Sequence, residues 1–453
     1  MTIPLQIRPG FDFDEAILMA QFTKQAYELF QYDDGSIEDT ELKEIYNSIH
    51  RNQGWRFVHS IRNDQTNVRG FILKNPGANQ YVLVFRGSIV TDRGSLELTD
   101  LLISDTNWEL VSYGAMADPR IKVSEGFFEA FESVSDQVEI FFKTLLGRLT
   151  KRDFIRIEGL TPERQFACAM AMADAGAIRL SNEFEQQART LILNVVADGE
   201  IGNNEELIEV LEFKKQNLLA LETLTEPVEV YVTGHSLGGC LANLGALALR
   251  RYFGSMVDSG LAIKVYTIGA PKIGNQNFVN YYNEQIGEGL SHRVENLLDV
   301  MGPVLPPSPP FPLNVLAPNG LRIGNFSLAN YAAVGEVHTL IGLGSQNVSL
   351  DFGGAIEFLG GIPFPHSFDA YIQLLKEDQQ RWYQFSLPIK NILAPFFKEL
   401  LQEQVEEIAD RFKVSNQALA DQIIESIHSM KNGQGIAQDS KESEIDMSRD
   451  SVK

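Results

Sequence analysis

Ser236 stands in the run Gly234-His235-Ser236-Leu237-Gly238-Gly239, with a glycine two positions before it and another two after. Ahead of it, Val228-Glu229-Val230-Tyr231-Val232-Thr233 alternates as a strand does. Behind it, Cys240 to Leu249 is a small, apolar, helix-like run closed by Arg250-Arg251. A serine on a turn between strand and helix is placed to act as a nucleophile. The turn is so tight that a side chain at either flanking glycine would strike the neighbouring element. The helix that starts there aims free N–H groups at the point where negative charge would develop. The bare pattern is weak, since roughly 0.2 matches arise by chance in a chain of this length. The flanking strand and helix are what favour a nucleophile over a glycine-rich turn with a capping serine.

A serine hydroxyl needs a base within hydrogen-bond reach, and that imidazole needs an acid to fix its tautomer and stabilise its cation. In α/β-hydrolases the three occur in the order Ser, Asp or Glu, His. Asp299 follows the strand-like run His292 to Leu298, and acids of open parallel sheets sit at such C-terminal strand ends. The competing reading is a turn aspartate before Gly302-Pro303-Val304-Leu305-Pro306-Pro307. Beyond Asp299 the chain offers His338, His366 and His428. His428 lies in a polar C-terminal stretch. His338 alternates within Glu336-Val337-His338-Thr339-Leu340, so its bland reading is a strand histidine. His366 follows Gly360-Gly361-Ile362-Pro363-Phe364-Pro365 and opens an amphipathic run, Ser367 to Tyr383. His366 is the favoured base and His338 the alternative.

These residues together resemble the class 3 (fungal-lipase-like) lipases. The resemblance is carried by Val82-Leu83-Val84-Phe85-Arg86-Gly87-Ser88, Glu125-Gly126-Phe127, the Ser236 run, and Gly269-Ala270-Pro271-Lys272-Ile273-Gly274-Asn275 with Phe278 after it. It continues in the Asp299 segment with its trailing Leu-Pro-Pro and in His366 with Tyr371 five residues on. It covers roughly residues 68–310 and 366–375, less one large insertion. The resemblance implies a Ser236–Asp299–His366 triad. It also implies an oxyanion hole from the backbone N–H groups of Ser88 and Leu237. The mechanism needs two such donors, and the alternating strand Val82 to Arg86 leads into the Gly87-Ser88 turn that would supply one. The chain departs from the family at Ser124, where His is usual, at Cys240, where a small residue is common, and between Asp299 and His366.

Around these residues the chain reads as an α/β-hydrolase fold: a mostly parallel sheet flanked by helices, with a helical-hairpin insertion and extra terminal helices. Residues 1–55 form an N-terminal helical segment, periodic from Ala16 to Phe30. Asp33-Asp34-Gly35 matches too few positions of a calcium loop and reads as a solvated turn. Residues 56–147 are the first part of the hydrolase domain. There Trp55 to Arg62 and Val68 to Leu73 read as a hairpin, and the loop 89–122 holds Leu101, Leu102 and Trp108 as candidate lid residues. Residues 148–224 are the insertion, with Ala173, Ala177, Leu180, Phe184, Ala188, Leu191 and Val195 at helical spacing. It reads as packing on its own domain or as a cap over the cleft. Lys143, Arg148, Lys151, Arg152 and Arg156 cluster against only Asp153, which suits a solvated helix end or a contact with anionic headgroups. Residues 225–377 are the second part of the hydrolase domain, 378–430 are C-terminal helices, and 431–453 read as a disordered tail.

Composition sets the outer bounds. The chain has 453 residues, 44% of them hydrophobic, enough for a sizeable core. Its net charge of −22 argues against sequence-independent binding to nucleic acid. Two cysteines make no disulfide framework. The first thirty residues lack a basic region followed by a long apolar core, so the expected location is cytoplasmic, with peripheral contact at a lipid interface. No metal-ligand spacing, P-loop or Rossmann fingerprint implies a cofactor. The expected activity is a serine carboxylic-ester hydrolase cleaving acyl esters of glycerolipids. The alternatives are a soluble-ester or thioester hydrolase of the same fold and a noncatalytic lipid-binding protein. Headgroup, chain length and oligomeric state are open at this level.

Overall fold

In the computed structural model the described residues are 7–30, 39–50, 54–87, 109–114, 118–180, 218–224, 227–254, 260–296, 299, 321–323, 326–328, 330–340 and 367–384. They fall almost wholly within a compact unit of residues 1–381; residues 382–453 form a second. The expected disordered tail, the C-terminal helices beyond residue 384 and the insertion between 181 and 217 lie outside the described residues.

The chain order begins with helices α1 (Phe13–Phe30) and α2 (Asp39–Ile49), then strands β1 (Arg56–Asn63), β2 (Val68–Asn75) and β3 (Gln80–Phe85). A two-stranded ribbon, β4 (Leu110–Ser112) with β5 (Lys122–Ser124), leads into α3 (Glu125–Leu146), α4 (Lys151–Glu158) and α5 (Pro162–Arg179). There follow β6 (Val228–His235), α6 (Leu237–Phe253), β7 (Leu261–Ile268), α7 (Gln276–Ile286) and β8 (Ser291–Asn296). The hairpin β9 (Leu321–Ile323) and β10 (Phe326–Leu328), then β11 (Glu336–Leu340) and α8 (Phe368–Gln384), complete the described elements.

Seven strands form one sheet in the order β1-β2-β3-β6-β7-β8-β11. From β3 to β11 every neighbouring pair is parallel, and β1 and β2 add an antiparallel edge. Helices cover both faces, which is why β7 is buried along its whole length. This is the α/β-hydrolase architecture. On one face, Phe127, Phe131, Val138 and Phe142 of α3 and Leu241, Leu244 and Leu247 of α6 pack over Leu83, Val230, Val232 and Val265. On the other, Met19, Phe22, Ala26 and Phe30 of α1, with Tyr371 and Leu375 of α8, pack over Val82, Val84, Tyr231, Tyr266 and Val294.

The N-terminal helix is therefore a layer of the hydrolase unit rather than an appendage to it. Its Glu15 is buried against the sheet, where one carboxylate oxygen accepts Tyr231 Oη at 2.9 Å and the other accepts Lys264 Nζ at 2.6 Å and Tyr266 Oη at 2.7 Å. A buried lysine is tolerable only because that carboxylate answers its charge.

Two sequence expectations change. The stretch 89–122 holds the β4 strand, which pairs with β5, so it is not loop throughout; Leu101, Leu102 and Trp108 lie outside the described residues. Two members of the basic cluster, Lys143 and Arg156, are answered by acids of α3 and α4. Lys143 meets Glu139 at 2.6 Å and Asp153 at 2.5 Å, Arg156 meets Asp136 at 2.9 Å and Glu139 at 2.8 Å, and Arg164 also meets Asp136. Glu139 and Lys143 are neighbours on one helix, but Asp136 and Glu139 reach Arg156 from the helix before it, and those pairs escape a reading by local sequence. In the described part of the insertion, Cys168, Met170 and Met172 of α5 join the α3–α6 core. No helix among the described residues is long and apolar enough to cross a membrane.

Candidate active site

Ser236 follows β6 directly and adopts φ 55°, ψ −130°, a left-handed conformation that a non-glycine residue holds only under constraint from its surroundings. The constraint is visible on both sides. A Cβ on Gly234 would collide with the Gly238 carbonyl, and one on Gly238 with the Phe85 carbonyl. Ser236 N–H donates to Ile268 O at 3.0 Å, fixing the turn to the end of β7. The side chain is buried, and its Oγ has no hydrogen-bond partner among the described residues. Leu237 opens α6, so its N–H belongs to the first-turn donors that no intrahelical carbonyl satisfies.

The end of β3 lies against this turn. A Cβ on Gly87 would sit 2.5 Å from His235 O and 3.1 Å from Ser236 Cβ, so only glycine lets the two turns approach this closely. Arg86 fixes the strand end: Nη1 donates to Phe30 O at 3.0 Å and Nη2 to Asn67 Oδ1 at 3.1 Å. Ser88, the next residue after Gly87, lies outside the described residues.

Asp299 is buried three residues beyond β8, its N–H donating to Asn296 O at 2.9 Å. Tyr371 Oη donates to Asp299 Oδ2 at 2.6 Å and accepts Asn296 N–H at 3.1 Å. Burial, then the Asp299 charge, pushes the Tyr371 hydroxyl well above its usual range, so it stays a donor to the carboxylate. Gly269, at φ 56°, leaves room for both groups: a Cβ there would be 3.1 Å from Asp299 Oδ2. The Ile268-Gly269 corner thus touches Ser236 on one side and Asp299 on the other.

His366 lies outside the described residues, but the helix it precedes does not. Ser367 is buried, and its Oγ accepts Ala370 N–H at 3.2 Å as a helix cap. Phe368 packs against Tyr27 at 5.1 Å and His235 at 6.1 Å between ring centres. Asp369 pairs with Lys24 at 2.8 Å. The first turns of α8 therefore meet both the neighbour of Ser236 and, through Tyr371, Asp299. His338 is placed elsewhere. It lies on β11, three strands from β6, which is about 14 Å across a sheet. It is stacked on Phe11 with ring centres 3.8 Å apart.

Sequence reasoning missed the contribution of α1. Tyr27 Oη bonds His235 Nδ1 at 3.0 Å and also engages the Gly87 backbone; burial raises the pKa of its phenol. One side chain from the N-terminal helix thereby touches the β3 turn, the β6 turn and the start of α8. Nothing in the local sequence around Tyr27 signals this. Tyr371 was visible only as a motif residue, with no role attached.

Residues 207–308, which include Ser236 and Asp299, match the family model described as Lipase (class 3). That stretch, about a fifth of the chain, is similar to class 3 lipases. Similar proteins include "Secreted mono- and diacylglycerol lipase 1" of Fusarium solani, 36% identical over 93 residues, 20% of this chain and 25% of that protein. Another is "Secreted mono- and diacylglycerol lipase MDL3" of Malassezia globosa, 42% identical over 82 residues, 18% of this chain and 24% of that one. "Phospholipase A1-II 6" of Oryza sativa subsp. japonica is 32% identical over 93 residues, 19% of this chain and 22% of that protein. The chain thus spans about a quarter of the length of the curated relatives it matches. Among solved structures, a Rhizomucor miehei triacylglyceride lipase is similar at 18% identity and a TM-score of 0.36, over 74% of this chain and 83% of that one.

The relatives correct one expectation. A cytoplasmic location was read from the want of a signal-like segment, yet both fungal relatives are named as secreted enzymes. A negative reading of thirty residues does not assign a compartment.

Proposed function

We propose that this protein is a lipase of the class 3 type, a serine hydrolase of acylglycerol esters, with Ser236 as nucleophile, Asp299 as triad acid and His366 as base. The observation that carries the proposal is the corner at Ile268-Gly269. It holds a strained, buried serine with a free hydroxyl on one side and a buried aspartate on the other. The names of the fungal relatives point to mono- and diacylglycerols as the substrate class.

In this reading the His366 imidazole takes the Ser236 Oγ proton as Oγ attacks the ester carbonyl. The N–H groups of Leu237 and Ser88 donate to the oxyanion, each worth about 3–4 kcal/mol in such sites. The intermediate collapses as His366 returns the proton to the leaving alcohol oxygen. Water, deprotonated by the same imidazole, then attacks the acyl carbonyl, and the acid leaves as His366 returns that proton to Ser236 Oγ. Asp299 stabilises the imidazolium, and Tyr371 keeps the carboxylate in place.

Ser236→Ala tests this directly. The variant is expected to fold, to lose labelling by a fluorophosphonate probe, and to lose hydrolysis of diacylglycerol by about a thousandfold or more. Labelling at the wild-type rate would remove Ser236 from the mechanism. A panel of mono-, di- and triacylglycerol beside phospholipid reads the headgroup preference, the last because one relative is named a phospholipase A1.

A further inference from the structure

Away from Ser236, strand pairing brings three ligand-type side chains together. His292 lies on β8, and Glu336 and His338 lie on the neighbouring β11, where Glu336 is in register with His292. One ligand atom from each lies within 4.8 Å of the other two. His292 Nδ1 is 3.8 Å from Glu336 Oε2, and the two imidazole ring centres are 5.3 Å apart. His292 is fully buried, its ring set beside the Gly10 and Gly289 backbone and facing Glu336.

The surroundings suit a cation. Glu336 Oε1 accepts Gly289 N–H at 2.8 Å, which orients the carboxylate with Oε2 toward His292. Phe11 covers the imidazoles, stacked on His338 at 3.8 Å and edge-on to His292 at 5.6 Å. The Glu336 side chain is 48% exposed and leaves a way in from solvent. Lys264, the charged neighbour of His292, is already paired with Glu15 at 2.6 Å.

We propose that His292, Glu336 and His338 form a binding site for a divalent transition metal of the zinc type. Two imidazole nitrogens and one carboxylate oxygen are the donors such an ion takes, with a fourth position left for water. Ligands about 2.1 Å from zinc stand about 3.4 Å apart, so the set closes by a shift of about an ångström, within reach of the half-exposed Glu336. Calcium and magnesium prefer oxygen ligands and do not fit this donor set. The ion would clamp the edge strand β11 to β8, the strand that leads to Asp299. The site is independent of the Ser236 chemistry and stands or falls separately.

The test uses the full chain, stripped with chelator and titrated with zinc chloride by calorimetry, with cobalt(II) absorption as a second readout. The expected result is one equivalent bound per chain, a tetrahedral cobalt spectrum and a raised Tm, with no response to magnesium. Glu336→Gln and His338→Ala should each weaken zinc binding about tenfold or more. His292→Asn is the more severe variant; should it fail to fold, the exposed Glu336→Gln still decides. Absence of binding to the wild type would overturn the proposal. So would binding that all the soluble variants retain unchanged.

Discussion

Tyr371 donates to Asp299 Oδ2 at 2.6 Å and receives Asn296 N–H at 3.1 Å, so one phenol ties α8 to the C-terminal end of β8. A charge-assisted bond of this kind contributes about 1.5–3 kcal/mol. Tyr371→Phe keeps the ring and removes only that bond. It is expected to lower stability by about 1–3 kcal/mol in a urea melt and to lower kcat about tenfold with KM nearly unchanged. An unaltered kcat would show that Asp299 is held without the phenol.

Gly87 presses against the serine turn with no room for a methyl group. Gly87→Ala must move the β3 turn away from His235 and Ser236, and with it the donor expected from Ser88. Turnover should fall about a hundredfold or more, the scale of losing one oxyanion donor, while circular dichroism stays native. Fluorophosphonate labelling rates would report the change without a lipid substrate; wild-type rates would place the oxyanion donor elsewhere.

Residues that act as one unit do not add when removed. His366→Ala should lower ester hydrolysis about as far as Ser236→Ala, and the double variant should be no slower than either. Additive losses in kcat would mean that His366 and Ser236 serve separate steps.

Glu15 is the partner of a buried lysine. Glu15→Gln leaves Lys264 Nζ facing a neutral amide and should destabilise by about 3–5 kcal/mol. Adding Lys264→Met should recover part of that loss, because the orphaned charge is gone. Denaturant melts of the two single variants and the double close the cycle, and purely additive losses would contradict the pairing.

For the candidate lid, replacing Leu101, Leu102 and Trp108 together by serine should blunt the rise in activity at micelles or vesicles. It should spare hydrolysis of a short soluble ester. A wild-type enzyme flat across the micelle threshold would favour a soluble esterase over a lipase acting at interfaces.

The sequence alone determined the elements that obey local rules. The β6 strand, the glycine-flanked turn at Ser236 and helix α6 are legible because steric demand and periodicity act within about a dozen residues. The same holds for the β1–β2 hairpin and for α3 ending at Leu146. Tertiary structure alone decided what the sheet order brings together. Tyr27 reaches His235 because α1 lies on the sheet face beside α8, and no spacing in the sequence encodes that. Asp136 and Glu139 meet the bases of α4 and α5 only once α3 packs beside them. His292, Glu336 and His338 come together because β11 pairs in parallel with β8, with 39 residues between the two strands (297–335). Local motifs report what neighbouring residues must do, whereas register and layer order arise from the burial of whole faces, a property of the assembled sheet.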